Sequence, residues 1–154
     1  MIYWFIGQPG CGKTTLARLL KEEMDNLHFP AIHLDGDDLR KIFGTYQPEH
    51  FTKEYRLEWT RKLQSLVAHL NSQGVSVIVS TVNPYKDVRE EFKLMYPTDM
   101  KEIYVYTQTP RVRQEYWCKD FEEPMENKQT IWIDTTGKTT NQSFDELYPK
   151  LIRR

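Results

Sequence analysis

The apolar positions of the chain fall into five short runs that alternate with segments of helical periodicity. The runs are Ile2 to Ile6, Ala31 to Asp35, 75–80, 102–106 and Thr130 to Asp134. They are rich in β-branched and aromatic residues and lack a regular polar alternation, which is typical of strands buried in a parallel sheet. Strands that alternate with helices predict an α/β fold with a five-stranded parallel sheet and helices on both faces.

Between these runs, apolar residues recur at the spacing of an amphipathic helix. Pro110 is typical of a helix start, Gly74 of a helix end, and Ser143 with Glu146 of a capping box. The predicted helices run from Lys13 to about Asn26, over 37–43, from Thr52 to Gly74, over 86–95, from Pro110 to about Lys119, and from Ser143 to about Ile152. A chain of 154 residues is expected to form one domain.

The first strand leads directly into a glycine-rich loop that fits the phosphate-binding pattern G-x-x-x-x-G-K-[ST] without a mismatch. The nucleotide-binding candidates of this loop are Gly7, Gly10, Cys11, Gly12, Lys13, Thr14 and Thr15. Glycines allow backbone N–H groups to converge on phosphate oxygens at the positive end of the following helix. We expect Lys13 to contact the β- and γ-phosphates of ATP and the Thr14 hydroxyl to hold Mg²⁺.

A second candidate site follows the second strand, where Asp35, Asp37 and Arg40 lie within six residues. Because parallel strands end at one edge of the sheet, Asp35 should lie near the phosphates. It is expected to accept the proton of an attacking hydroxyl or to bind Mg²⁺ through water, whereas Asp37 serves either the site or only the helix N-terminus. The third strand has no acidic residue at its end, which favours a small kinase over an ATPase motor or a GTPase.

Four segments taken together resemble the adenylylsulfate kinase family. They are 7–17, 35–40, 51–56 and 83–89, and the stretches 102–105 and 121–124 are also similar. The resemblance implies a P-loop kinase fold of three α/β/α layers that moves the γ-phosphate of ATP onto the ribose 3′-hydroxyl of adenylylsulfate. It implies that Asp35 is the base, that Arg40 and Arg56 bind anions and that Phe51 stacks on the acceptor's base. Asn83 opens the fourth segment at the ligand edge of the sheet and is a further acceptor-binding candidate.

The chain departs from the family pattern at two places. Trp59 stands where the family usually has Asn, and the family's lid of about twenty residues is reduced to 111–120. Arg111 and Arg113 could form a short cationic lid, or they could belong to a solvent-facing helix. Tyr116 and Trp117 are read as core aromatics rather than base-stacking residues. The resemblance therefore supports the phosphotransfer machinery more strongly than it supports any one acceptor.

Composition limits the remaining possibilities. The formal net charge of −1 gives no overall attraction to nucleic acid, and no apolar run is long enough for a membrane span. With two cysteines and no signal peptide, a cytoplasmic protein is expected. Cys11 is read as filling a free loop position, with redox sensitivity as the alternative. The four histidines show no metal-ligand spacing and receive no site.

The residues thus predict an ATP- and Mg²⁺-dependent kinase for a hydroxyl group of a small, nucleotide-like acceptor. Phosphorylation of a polynucleotide 5′-end or of another small alcohol remains an alternative, because the same loop and base serve any hydroxyl. A third possibility is a module that binds ATP without turnover. The assembly state stays open, a homodimer included.

Overall fold

A single parallel sheet of five strands forms the centre of the computed structural model, which describes residues 1–152. The strands are β1 (Ile2–Ile6), β2 (Ala31–Asp35), β3 (Ser76–Ser80), β4 (Met100–Tyr106) and β5 (Thr130–Asp134). Their order is β2-β3-β1-β4-β5, and all four neighbouring pairs are parallel. The predicted five-stranded parallel sheet is confirmed.

Helices cover both faces of the sheet. They are α1 (Lys13–Asn26), α2 (Gly36–Ile42), α3 (Lys53–Ser72), α4 (Lys86–Met95) and α5 (Thr140–Ile152). On one face, α1 and α5 bury Leu16, Leu20 and Leu147 against the sheet, and on the other α3 and α4 bury Leu63 and Phe92. Three α/β/α layers result, with an apolar core on each side of the sheet. Among residues 1–152, no helix is long and apolar enough to cross a membrane.

Several helix ends follow the signals in the sequence. Thr52 caps α3, because its side chain accepts a hydrogen bond from the Tyr55 N–H. Gly74 follows the end of α3 with φ of 84°, a left-handed conformation that glycine adopts without the strain of a side chain. The strands and the first and fourth helices lie close to their predicted bounds.

The predicted start of the last helix is wrong. The helix α5 begins at Thr140, so Ser143 lies inside its first turn and is buried. The capping box is formed by an earlier pair: the Gln142 N–H donates to Thr139 Oγ1 at 3.2 Å, and the Thr139 N–H donates to Gln142 Oε1 at 2.8 Å. Both pairs fit the sequence pattern, and the earlier one lies at the boundary where the chain leaves the sheet edge.

The predicted helix from Pro110 to Lys119 is also wrong. This segment contains only a three-residue 3₁₀ turn, Gln114–Tyr116. Outside this turn, backbone groups of the segment pair with the glycine-rich loop: the Arg111 N–H donates to Gly10 O at 3.4 Å, and the Cys118 N–H donates to Gln8 Oε1 at 2.9 Å. These tertiary hydrogen bonds compete with the i to i−4 pattern that a helix requires.

Candidate active site

The glycine-rich loop connects β1 to α1 at the edge of the sheet where the strands end. Gly12 precedes α1 with φ of 99°. It has no side chain that could cap the first N–H groups of the helix. Gly7 has φ of 145°, and a Cβ built there would lie 2.2 Å from Val105 O. Only glycine fits so close to β4. The loop thus presents uncapped N–H groups at the positive end of a 14-residue helix, which suits an anionic ligand.

A cleft of about 580 Å³ opens beside this loop, and we call it the main cleft. Twelve of the predicted site residues line it: Gly10, Gly12, Lys13, Thr14, Thr15, Asp35, Asp37, Arg40, Phe51, Arg56, Asn83 and Arg111. They come from the loop, the end of β2, the helices α1, α2 and α3, the turn before α3, the segment after β3 and the segment over 110–120. The fold therefore brings together nearly all the candidates that are scattered over the sequence.

Lys13 is almost completely buried at the base of the main cleft. Its Nζ donates to the Gln8 carbonyl oxygen at 2.9 Å. Burial lowers the pKa of Lys13 to about 8, against the opposing attraction of Cys11, Asp37 and Asp35. An anionic ligand beside Nζ would favour the charged form, because it would offset the cost of desolvating the ammonium group. The side chain is thus placed to gain a phosphate partner.

Asp35 lies at the end of β2 and accepts hydrogen bonds from three sides. Its Oδ1 accepts from Thr14 Oγ1 and from Ser80 Oγ, each at 2.8 Å, and its Oδ2 accepts from the Asp38 N–H at 3.3 Å. Burial alone would raise the pKa of Asp35, but the hydrogen bonds from Thr14 and Ser80 outweigh it, and the pKa lies below its ordinary value. The side chain is therefore ionised at neutral pH, and it also caps the N-terminus of α2.

Asp37 lines the main cleft as a second carboxyl group with a different environment. Burial and the neighbouring charge of Asp35 raise the pKa of Asp37, while Lys13, Lys41 and Arg40 lower it less. The Asp37 side chain is thus easier to protonate than that of Asp35. The two carboxyl groups differ because Asp35 has the hydroxyl donors of Thr14 and Ser80.

Arg40 is 5% exposed, although it lies on a short surface helix. Its Nη1 donates to the carbonyl oxygens of Thr45 and His50 at 3.1 and 3.0 Å. The guanidinium also lies over two aromatic rings, with its carbon 4.2 Å from the centroid of Phe51 and 5.1 Å from that of Trp59. Burial and the neighbouring Arg56 lower the pKa of Arg40 to about 10. The guanidinium is rigidly held and positively charged at neutral pH.

Arg56 also lies over the Phe51 ring, with its guanidinium carbon 5.4 Å from the ring centroid. Its Nε donates to the Phe51 carbonyl oxygen at 2.9 Å. Among residues 1–152, neither Arg40 nor Arg56 forms an ion pair with a carboxylate. Two neighbouring guanidinium groups without a carboxylate partner repel each other, so this part of the main cleft favours an anion.

Asn83 has φ of 45°, which is uncommon for a residue other than glycine. The buried Arg89 holds this backbone in place, because Arg89 Nη1 donates to Asn83 O at 2.9 Å. Arg89 also forms an ion pair with Glu102 of β4, Nε to Oε2, at 3.4 Å, and both side chains are fully buried. Sequence reasoning missed Arg89 as a support of the site, because nothing in the sequence distinguishes it from a charge on a solvated helix face.

The segment over 110–120 crosses the glycine-rich loop. Arg111 lines the main cleft and also a second cavity, so it is brought to the site. Arg113 does not line the main cleft, because its side chain is 74% exposed and pairs with Glu115 at 2.8 Å. Tyr116 is exposed and lines the main cleft, whereas Trp117 packs against the core beside α1. The prediction that both aromatic residues lie in the core is correct for Trp117 and wrong for Tyr116.

The second cavity, of about 230 Å³, lies on the other side of the glycine-rich loop, and we call it the small cavity. It is lined in part by the loop after β5, where Thr135 Oγ1 donates to Cys11 O at 2.9 Å. Sequence reasoning missed Thr135, Gly137 and Lys138 as site residues. Their position directly after a strand that ends at the same sheet edge is the signal that could have identified them.

Cys11 faces away from the main cleft. Its side chain is buried in the core beneath α1, and burial raises the pKa of the Cys11 thiol, against the opposing influence of Lys13. A thiol with a raised pKa is mostly protonated at neutral pH and reacts slowly. Burial and the raised pKa of the thiol favour the interpretation that Cys11 fills a free loop position over redox sensitivity.

The oxygen ligands of the site fit a magnesium ion shared with a phosphate. In the described part of the chain, no group of three or more His, Cys, Asp or Glu side chains could hold a metal by itself. The Thr14 hydroxyl and the Asp35 carboxylate, however, are hard oxygen ligands 2.8 Å apart. Mg²⁺ is commonly held by one or two protein oxygens together with substrate phosphates and water.

A glycine-rich loop at a helix N-terminus, its Lys-Thr pair and a carboxylate on the adjoining parallel strands define the class of P-loop nucleotide-binding proteins. The chain belongs to the adenylylsulphate kinase family, whose sequence profile matches residues 1–120. The matched region includes every residue discussed for the main cleft. The family resemblance read from the sequence is thereby confirmed.

Two curated relatives are similar over more than two thirds of the chain. The cytidine diphosphoramidate kinase of Campylobacter jejuni is 33% identical over 108 residues, which cover 68% of this chain and 59% of that protein. The adenylyl-sulfate kinase of Thermodesulfovibrio yellowstonii is 33% identical over 109 residues, which cover 71% of this chain and 53% of that protein. The chain thus matches little more than half the length of these relatives.

Several solved structures match nearly the whole chain. One of them is the APS kinase of Mycobacterium tuberculosis in complex with AMPPNP and APS, with a TM-score of 0.80 at 19% identity. The match covers 99% of this chain and 97% of that one. The predicted P-loop kinase fold is confirmed.

Proposed function

We propose that the chain is an ATP-dependent kinase that phosphorylates a hydroxyl group of a nucleotide-like acceptor carrying an anionic tail. One observation carries this proposal: a phosphate-binding loop and Asp35 line the same cleft as two guanidinium groups that have no carboxylate partner among residues 1–152. The loop accounts for a phosphate donor, the guanidinium groups for an anionic acceptor, and the carboxylate for the proton that is released.

The donor would lie along the glycine-rich loop. Its phosphates would accept hydrogen bonds from the first N–H groups of α1, and Lys13 would exchange the Gln8 carbonyl oxygen for a phosphate oxygen. The adenine ring would occupy the small cavity beside Arg111, Gly137 and Lys138. The Thr14 hydroxyl would hold Mg²⁺, which when bound neutralises charge on the phosphates.

The acceptor would lie in the part of the main cleft near Arg40 and Arg56. The planar donor groups of arginine suit the tetrahedral oxygens of phosphate or sulfate. In the transfer step, the acceptor oxygen forms a bond to the γ-phosphorus, the bond to the oxygen that bridges the β- and γ-phosphates breaks, and ADP leaves. The hydroxyl proton passes to Asp35. The low pKa of Asp35 suits a loose transition state, in which the proton is transferred late.

The names of the two relatives suggest acceptors to test first. Adenylylsulfate and cytidine diphosphoramidate are both ribonucleotides whose 5′-phosphate is extended by a second tetrahedral group. Two arginines side by side are matched to such a tail, whichever base the nucleotide carries. Trp59, in place of the usual family Asn, lines the cleft and supports a choice of acceptor different from that of a typical adenylylsulfate kinase.

The test is a coupled assay of ADP release with Mg²⁺ and ATP. The panel comprises adenylylsulfate, cytidine diphosphoramidate, unsubstituted nucleotides, nucleosides, oligonucleotide 5′-ends and simple alcohols. We expect stimulation by nucleotides with an extended phosphate tail. Stimulation only by oligonucleotide ends or by simple alcohols would refute the proposed acceptor, and ATP binding without any stimulated turnover would favour a non-catalytic module.

A further inference from the structure

A chain of hydrogen bonds connects Asp35 to a histidine outside the main cleft. His33 Nε2 lies 2.8 Å from Ser80 Oγ, and Ser80 Oγ donates to Asp35 Oδ1 at 2.8 Å. The sheet explains this alignment. His33 and Asp35 are two residues apart on β2, so their side chains share one face, and Ser80 is the register partner of Asp35 on β3.

Counting protons determines the direction of each hydrogen bond. Ser80 has one hydroxyl proton, and a carboxylate only accepts, so this proton must lie between Ser80 and Asp35. His33 Nε2 must then donate to Ser80 Oγ. Both the imidazolium and the neutral tautomer with a proton on Nε2 can do so, whereas the tautomer with its proton on Nδ1 cannot. The contact therefore requires that Nε2 of His33 carries a proton.

The two oxygens of Asp35 are left in different states. Oδ1 accepts from Thr14 and Ser80, which fills its roughly two lone-pair positions. From residues 1–152, Oδ2 accepts only the long bond of 3.3 Å from the Asp38 N–H. Oδ2 is thus the oxygen with a lone-pair position left for a further donor, and it belongs to a side chain that lines the main cleft.

We propose that His33 is a positioning residue which, through Ser80, holds Asp35 so that Oδ2 receives the proton of the acceptor hydroxyl. This inference rests on the proposed kinase function. The proton moves from the acceptor oxygen to Oδ2 as that oxygen bonds to the γ-phosphorus and ADP leaves. Oδ1 accepts from two side chains, Thr14 and Ser80. Thr14 belongs to the glycine-rich loop, whereas Ser80 belongs to β3, so the bond from Ser80 fixes Asp35 relative to the sheet.

The proposal is tested with variants that keep or remove the donor at the position of Nε2. His33→Gln places an amide N–H near that position, whereas His33→Met has a similar size without a donor. We expect His33→Met and Ser80→Ala to lose about tenfold in kcat, as for one lost hydrogen bond, with the KM values for ATP and acceptor nearly unchanged. His33→Gln should retain most of the turnover. His69→Met, at an exposed position on α3, is the control for a histidine change that should have no effect.

Equal turnover of His33→Met and wild type would overturn the proposal, and so would equal losses in His33→Gln and His33→Met. A nitrogen NMR spectrum of the histidine rings provides a second measurement that does not require activity. We expect a proton on Nε2 of His33, and a tautomer protonated only on Nδ1 would also overturn the proposal. A wild-type chain that transfers phosphate to no acceptor would refute the proposed function and the role of Oδ2 with it.

Discussion

The guanidinium carbon of Arg40 lies 4.2 Å from the centroid of the Phe51 ring, and the guanidinium carbon of Arg56 lies 5.4 Å from the same centroid. The ring thereby holds both cations at one end of the main cleft. The family resemblance makes Phe51 a stacking surface for the acceptor's base. In the structure, its first partners are the two cations that we expect to bind the acceptor's anionic tail.

Arg40→Lys should raise the KM for the acceptor about tenfold to a hundredfold and leave the KM for ATP nearly unchanged. Lysine keeps the charge but cannot hold the two carbonyl oxygens of Thr45 and His50 and still present a planar donor edge to an anion. Steady-state kinetics with each substrate varied in turn measures the effect. Arg61→Lys, at an exposed ion pair on α3, is the control. Equal changes in both KM values would contradict the assignment of Arg40 to the acceptor.

The affinity for ATP should fall as the pH rises above about 8. The pKa of Lys13 is lowered to about 8 from an ordinary value of 10.5, so the nucleotide-free protein must take up a proton to bind phosphate with a charged lysine. The affinity should fall by up to about tenfold per pH unit in this window. Calorimetric titration from below pH 7 to above pH 9 measures it, and Lys13→Met should bind weakly without this slope.

The stability of the nucleotide-free protein should change in the opposite direction. Between the folded pKa near 8 and the unfolded value of 10.5, the unfolded chain binds more protons at Lys13. The contribution of this group to the free energy of unfolding therefore rises with pH in that window. Comparing urea unfolding of wild type and Lys13→Met across the window isolates this contribution. A difference that does not depend on pH would contradict the lowered pKa.

Asp35→Asn should fold normally and lose about a hundredfold or more in kcat, because a proton acceptor is removed from the transfer step. Asparagine is a favoured N-cap residue, and its one side-chain oxygen can accept either from the Asp38 N–H or from Thr14 and Ser80. Binding of ATP should hardly change. Asp38→Asn, on the exposed side of α2, is the matched control. Surviving turnover with failed ATP binding would instead make Asp35 a magnesium or structural residue.

Trp59→Asn should change the choice of acceptor without changing the KM for ATP. Trp59 lines the main cleft and forms one side of the aromatic pair around Arg40, so the smaller residue opens space and frees the guanidinium. We expect the ratio of kcat/KM for adenylylsulfate to that for cytidine diphosphoramidate to rise. Trp59→Phe keeps an aromatic face and should resemble the wild type. An unchanged ratio would show that Trp59 does not determine specificity.

Arg89→Met should lower the free energy of unfolding by about 3 kcal/mol, since it leaves part of a buried ion-pair network without its partner. Arg89 and Glu102 are both fully buried, although Lys93 still pairs with Glu102 at 3.0 Å. Urea unfolding measures the loss. The same change at Arg61, whose ion pair with Glu91 is exposed, should cost less than about 1 kcal/mol.

The sequence by itself determined the sheet and the phosphate-binding half of the site. Strand positions follow from short apolar runs and the loop from a contiguous motif, so both are encoded by neighbouring residues. Asp35 could be predicted because parallel strands end at one edge. The two wrong helix predictions have different causes. In one segment the capping signal occurs twice, and in the other tertiary hydrogen bonds oppose the local helix signal. The capping pattern occurs twice near α5, and the polar groups of 110–120 pair with a distant loop.

Only the tertiary structure decided how the remaining residues act. His33 appeared as a histidine without metal-ligand spacing, and its contact with Ser80 depends on the register of two strands that are 40 residues apart in the chain. Arg89 and Glu102 form their ion pair only when α4 packs on β4. Arg113 belongs to the same short segment as Arg111, yet it points to solvent. Side-chain partners depend on packing between elements, and a local pattern of residue types does not contain that information.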